Sequence, residues 1–553
     1  MNANRLLPAL PTPWAVFALI VGLYIWLYAP CGIDNNDTGF ILGLAHQVSL
    51  GGLLYDHIVY VRPPVSPVMH SFVFSWPFYL APILVDRVFV FLQISLYSAL
   101  SAVLAGRYFS WSTGFTALTA TLAFVFSAHV FPPMAWHTID GIFFSVLALY
   151  CMAAGMKGHR GFLLLSACSG ILAAGSKQPF LLFPFMLLAL VPILERRWLP
   201  LAIYSLSLLA SVMLFFLLLN RFGSMQMFWG AISSQTTARD LWYAGFENYV
   251  RSLFHEDYRY GAWPLLALLP VSLLRRVSGR LAPGVLLIAA VVMLLTSLAR
   301  FYLAAADSYQ PLELFNSIFV VTLLCSLAML ALTRHESWIW VVAMHGIAWC
   351  ASISWGYLTP VLYSAPSVIT VACALEPCCR RYGGFRIASF ALLPAALALF
   401  WQGHQLFYSL EGPVRRVDMT ADMGGISPVL RGIRGTPEQF ALYSELEEMI
   451  GHAGNGPYVV LPDITFAHVL TGQPNPLGID WVLNTEVGSY RQTVARRLDS
   501  SVDYAIVYRK ASPRPDLPGK FGSEPTMQVI RTWRLLESSD NFSLYVNPGR
   551  HGV

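Results

Sequence analysis

Apolar runs close to 20 residues long recur along most of the first 400 residues. A run of that length is what a helix needs to cross a bilayer core of roughly 30 Å. The runs are too long for barrel strands, which need only about 10 alternating residues. Charged residues make up only 12% of the chain, against about 25% in soluble domains. The chain is therefore expected to fold as a polytopic α-helical membrane protein. The net charge of +5 reflects basic loops between the runs and says nothing about nucleic acid; the expected partners include membrane lipids and no nucleic acid. Eight cysteines are scattered at 31, 151, 168, 325, 350, 373, 378 and 379 without metal-ligand spacing to histidine. The N-terminal stretch has Arg5 ahead of an apolar run but no small-residue cleavage site, so it reads as a retained first span.

Basic loops stay on the cytoplasmic side and so orient the helices. Arg5 places the N-terminus inside and delivers the polar stretch 31–67 outside. The basic loops at 157–160, 195–197, 275–280, 334–336 and 380–386 then all fall inside. Runs at 139–156, 161–175, 179–194, 199–219, 261–274, 283–302, 313–332, 338–353, 357–375 and 386–402 alternate direction without conflict. Between 64 and 137 three runs occur, 66–84, 87–106 and 112–131, where an even number of crossings is required. The run 66–84 is expected to be interfacial or re-entrant. The total comes to about 13 spans, which puts everything after about 405 outside.

Composition changes there. The expected organisation is a membrane domain over 1–405 and a small soluble α/β domain over 406–553. Thr436-Pro437-Glu438 opens a helix that Gly451 should close. Segments 458–462, 504–508 and 542–546 read as short buried strands. This tail has no cysteine and no glycine-rich nucleotide loop.

The outer face collects the groups that bilayer helices exclude. Asp34, Asp37 and Arg62 lie in one segment, His137 to Asp140 in a second and Ser176-Lys177-Gln178 in a third. The long stretch 220–260 carries Arg239, and Ala304 to Glu313 adds Asp307 and Tyr309. Ionisable residues at membrane depth are expensive and mark sites. Each has a plainer reading. Asp34, Asp37 or Asp140 can cap a helix, Lys177 can snorkel, and Arg62 can anchor at the interface. His255-Glu256-Asp257 reads as a solvated loop rather than a metal site. The set argues for a site, because independent caps need not gather on one face.

From Asp37 onward a family pattern is visible. An acidic residue just past the first span is followed by Ala45, then Gly52-x-x-Tyr55, Asp56, and Arg62-Pro63-Pro64 with Pro67. This order resembles the polytopic glycosyltransferases of the GT-C type, in the branch of bacterial protein mannosyltransferase-like enzymes and lipid A aminoarabinose transferases. His137-Thr138-Ile139-Asp140 resembles the family's second acidic position, and Ser176-Lys177-Gln178 its small-residue–Lys–Gln turn. The motifs cover about the first 180 residues. Thr38 stands where the family often has Glu, and no Trp-Trp-Asp-Tyr-Gly motif occurs, which argues against en bloc transfer to asparagine.

The resemblance implies a donor sugar on a polyprenyl phosphate, an unknown hydroxyl acceptor and direct displacement at the anomeric carbon. Its site would face the periplasm from a bacterial inner membrane. Asp37 would be the base, because an attacking hydroxyl must lose its proton. Lys177 and Arg62, with Arg239 and Arg300 behind them, would meet charge on the leaving phosphate. Asp140 would either position the acceptor or share a divalent ion with Asp37, the one cofactor the set suggests. Asp34, Tyr55, His137, Gln178, Asp307 and Tyr309 would line the substrates. The rivals are a transporter or flippase of a lipid-linked saccharide and a non-catalytic assembly subunit. Transporters usually show related halves, and none is visible here.

Overall fold

A computed structural model describes residues 12–130, 133–195, 197–235, 243–247, 322–323, 326–327, 329–331, 333–353, 365–380, 400, 403–407, 409, 412, 414–509 and 524–551. The expected spans 261–274 and 283–302, the triplet 255–257, and Arg239, Arg300, Asp307 and Tyr309 lie outside these residues.

Helix α1 (Thr12–Tyr28) buries Phe17, Val21, Tyr24 and Tyr28, spaced three and four apart, and exposes Val16, Leu19, Leu23 and Trp26. That is one face toward protein and one toward an apolar medium. Helices α4 (Pro82–Phe109), α5 (Thr113–Val130), α6 (His137–Met156), α7 (Gly161–Ala174), α8 (Phe183–Leu194) and α9 (Trp198–Phe222) follow. Among the described residues three helices, Pro82–Phe109, His137–Met156 and Trp198–Arg221, are long and apolar enough to cross a membrane. The last is only 17% buried, with Leu206, Leu209, Met213, Leu214 and Leu217 exposed. A soluble surface does not carry such a stripe, whereas lipid covers it without cost.

The run 66–84 does not form a helix of spanning length. It breaks into α3 (Val65–His70) and two 3-10 turns, Ser71–Phe74 and Phe78–Leu80. Six residues rise only about 9 Å, and Pro77 and Pro82 interrupt any continuation. The polar stretch after α1, read as a loop, instead contains helix α2 (Asp37–Ser49), with every residue from Asp37 to Gln47 buried. Sequence pattern misses it because it is covered on all sides and shows no amphipathic period.

The helix start of α4 is tied to the end of α1 by Arg87. Its guanidinium donates to the carbonyls of Ala29 (3.0 Å), Cys31 (2.9 Å) and Gly32 (2.5 Å). A helix end leaves carbonyls without intrahelical partners, and a buried cation is a strong way to satisfy them.

The tail carries a four-stranded sheet. Tyr458–Leu461 runs parallel to Tyr504–Tyr508, which pairs antiparallel with Phe542–Val546, and Arg534–Ser538 forms the edge. The three buried strands match expectation. The edge strand was not anticipated, because all five of its residues are exposed and no alternation marks it. Thr436 and Gln439 form a reciprocal capping box on the helix Pro437–Ala453. Gly451 does not close that helix; Gly454, at φ 63°, does.

The tail is seated on the segment after α1. Gly32 N donates to Arg434 O (2.8 Å) and Arg434 N donates to Pro30 O (2.7 Å), Tyr443 Oη donates to Asn35 Oδ1 (2.5 Å), and Thr465 N donates to Asn35 O (3.0 Å). Gln47 Nε2 donates to Asp480 Oδ2 (3.1 Å), whose other oxygen meets His468 Nδ1 (2.8 Å) and Asn475 Nδ2 (2.9 Å). Gly39 and Gly43, one turn apart on α2, make this possible. A Cβ on Gly39 would lie 2.5 Å from Phe466, and one on Gly43 would lie 2.7 Å from Asp480 Oδ2.

Candidate active site

The first turns of α2 and α6 meet through aromatic rings. Phe40 packs on Trp136 (5.8 Å between centroids), His137 (6.2 Å) and Trp481 of the tail (5.2 Å). Asp37 begins one of these helices and Asp140 lies in the first turn of the other. Two cations join them. The Arg62 guanidinium lies 4.9 Å above the Phe40 ring and within electrostatic reach of Asp37. Lys177 Nζ donates to Thr138 Oγ1 (3.0 Å), in the same first turn of α6 as Asp140. Tyr60 is within electrostatic reach of Arg62 and of Asp140. Asp37, Arg62, Asp140 and Lys177 are all 6% exposed or less. Charges are not left inside a helical membrane protein without partners or use.

Each anticipated residue has a definite place. Asn36 holds the cap position of α2, and Asp34 shapes the turn before it: its Oδ2 accepts the backbone N–H groups of Asn36 (3.0 Å) and Asp37 (2.5 Å). Tyr55 is fully buried with φ 67°, and its hydroxyl donates to Arg62 O (2.7 Å), so it shapes the loop that carries Arg62. Gln178 Nε2 donates to Val61 O (2.8 Å) and braces the same loop. His137 is buried beside Trp136, and its Nδ1 has no hydrogen-bond partner among the described residues. Asp140 is not a cap. Trp136 occupies the cap position of α6, and the Asp140 carboxylate turns sideways to His70 and Gln93. Lys177 does not snorkel, being 4% exposed; burial, with Arg62 nearby, pushes its ammonium down to about 7.

Arg62 is not merely an interfacial anchor. Both arms of its guanidinium grip the Glu486 carboxylate, Nη2 to Oε1 at 2.8 Å and Nη1 to Oε2. Burial works against its charge, but Glu486 outweighs that and holds the guanidinium above its ordinary value. Glu486 gave no sign in the sequence, since an acidic residue in a soluble tail is ordinary. His70, Asp86 and Gln93 were also missed, although a histidine and an aspartate inside apolar runs were a signal. Among the described residues no three His, Cys, Asp or Glu side chains gather as a metal ion would need. No step below passes through a shared ion at Asp37 and Asp140.

No family model and no curated protein matches the chain. Solved structures do. The chain is similar in fold to ArnT from Cupriavidus metallidurans. In the apo state that structure is 13% identical, with a TM-score of 0.47, over 97% of this chain and 98% of ArnT. Bound to undecaprenyl phosphate it is 14% identical, again with a TM-score of 0.47 and the same coverage. The Archaeoglobus fulgidus oligosaccharyltransferase, solved with Zn and sulfate, is 14% identical with a TM-score of 0.48, over 90% of this chain and 68% of its own.

Proposed function

We propose that this chain is a glycosyltransferase that moves a sugar from a polyprenyl-phosphate donor to a hydroxyl acceptor, with inversion at the anomeric carbon. One observation carries the reading: two buried carboxylates and two buried cations share one neighbourhood, where Phe40 packs on Trp136 and His137. That is the charge inventory the displacement requires. The acceptor hydroxyl attacks the anomeric carbon and gives its proton to Asp37. The bond to the phosphate oxygen breaks, and the charge left on the polyprenyl phosphate faces Lys177 and Arg62. Asp140 orients the acceptor. Apolar helix surfaces such as that of α9 hold the prenyl chain.

In this reading residues 1–405 form the catalytic membrane domain with about 13 spans, and 406–553 form a domain on the periplasmic side of a bacterial inner membrane. Mass spectrometry of the lipid-linked sugar that copurifies with the protein tests the donor. Asp37→Asn keeps the shape of the side chain and removes its basicity, so turnover is expected to fall by about 10²–10⁴ while donor binding persists. A flippase would keep moving its lipid in that variant, which would sink the enzymatic reading.

A further inference from the structure

Asp140 ends a charged chain whose other members, deep to the site, the mechanism above does not use. His70, at the end of α3, is fully buried between two carboxylates from different helices. Its Nδ1 is 2.5 Å from Asp86 Oδ1 on α4, and its Nε2 is 3.2 Å from Asp140 Oδ1 on α6. The second oxygen of Asp86 accepts the backbone N–H of Ala135 (2.9 Å), in the turn that leads into α6. Gln93 Nε2, two turns along α4 from Asp86, donates to the same Asp140 oxygen as His70 (3.0 Å). Asp140 Oδ2 is buried and has no hydrogen-bond partner among the described residues.

Hydrogen-bond logic fixes the charge state. Each imidazole nitrogen faces a carboxylate oxygen, and a ring that donates from both nitrogens satisfies both contacts at once. Both ring nitrogens therefore donate, and the ring is an imidazolium. Asp86, His70 and Asp140 then sum to one negative charge. His70 and Gln93 hold one Asp140 oxygen, so that residual charge is presented by the other. A buried carboxylate oxygen left without a donor is costly. A hydroxyl delivered to it removes that cost.

We propose that Asp86 and His70 are positioning residues, which fix Asp140 so that its free Oδ2 receives and orients the acceptor hydroxyl. This rests on the transferase reading given above. The arrangement assigns the acceptor, not the donor, to this side of the site. The donor phosphate belongs to the cations Lys177 and Arg62.

The assay uses the purified full-length chain, a panel of undecaprenyl-phosphate monosaccharides as donors and an envelope extract as acceptor, with product read by mass spectrometry. His70→Leu removes the donor to Asp140, whereas His70→Gln retains an N–H that can reach it. Asp86→Ala leaves the imidazole in place but unanchored. In His70→Leu and Asp86→Ala, half-saturation for the acceptor is expected to rise about tenfold to a hundredfold, as misplacement near an angstrom costs. Half-saturation for the donor should stay within about twofold, and His70→Gln should recover part of the loss. If His70→Leu does not fold, Asp86→Ala decides. Donor and acceptor values rising together, or neither moving, overturns the positioning role and leaves only a structural ion cluster. A wild-type protein that turns over no donor of the panel removes the transferase reading itself, and this inference with it.

Discussion

At Lys177 a single side chain carries a charge in a place that opposes it. Burial and Arg62 push its ammonium down to about 7. A bound phosphate favours the charged form and raises that value again. Below pH 7 the free protein already holds the proton. As pH rises through 7 the free protein loses the proton and binding must take one up. Above pH 7, where the phosphate monoester is already doubly ionised, affinity for undecaprenyl phosphate should therefore weaken by up to about tenfold per pH unit. Lys177→Ala should lose that dependence along with about 1.5–3 kcal/mol of binding. A titration of Kd against pH that runs level in the wild type would return Lys177 to a purely structural role. Residues of this kind were legible in sequence, because an ionisable group between apolar runs stands out by type alone. Tyr55 and Asp34 were legible as candidates but not as to role. Their side chains are taken up by Arg62 O and by the backbone that opens α2, and no spacing rule announces that.

Among the elements, α2 decides most and was least visible. Its sequence reads as a polar connector, yet it lies buried under the tail with Gly39 and Gly43 as the contact face. Those glycines are spaced four apart, which is a packing signal once the helix is known and none before. Gly43→Val would drive methyl groups against Asp480 and the Thr465 carbonyl. Overpacking of this sort costs about 1–3 kcal/mol. The expected outcome is a tail that proteases cleave readily, with the membrane helices still folded. A protease pattern like that of the wild type would show that the tail is held elsewhere. The run 66–84 was also legible in part. Its odd place in the crossing count marked it, and the break into α3 and two 3-10 turns follows from its prolines.

At the scale of the described residues, helices with apolar outer surfaces carry a C-terminal tail seated on the polar segment of the candidate site. The strands at 458–461, 504–508 and 542–546 were legible because they are buried and rich in β-branched and aromatic residues. The seating was not, because contacts such as Gln47 to Asp480 join residues more than 400 positions apart. If the basic loops orient the chain as argued, a reporter fused after Gly454 should be active only on the periplasmic side. A cytoplasmic signal there would reverse the topology.

If the donor phosphate meets Arg62 as proposed, the grip of Glu486 makes its binding there a competition between two anions. It would not meet a vacant guanidinium; it would displace a carboxylate already there. The measured affinity is thus a difference, and the tail sets one of its two parts. Glu486→Gln should tighten undecaprenyl phosphate binding, even though it removes half of a buried ion pair and so lowers the melting temperature. It should also make binding more sensitive to salt. In the wild type one counter-charge replaces another at Arg62, and screening acts on both alike. An apparent Kd that does not fall in Glu486→Gln would mean that the phosphate never reaches Arg62.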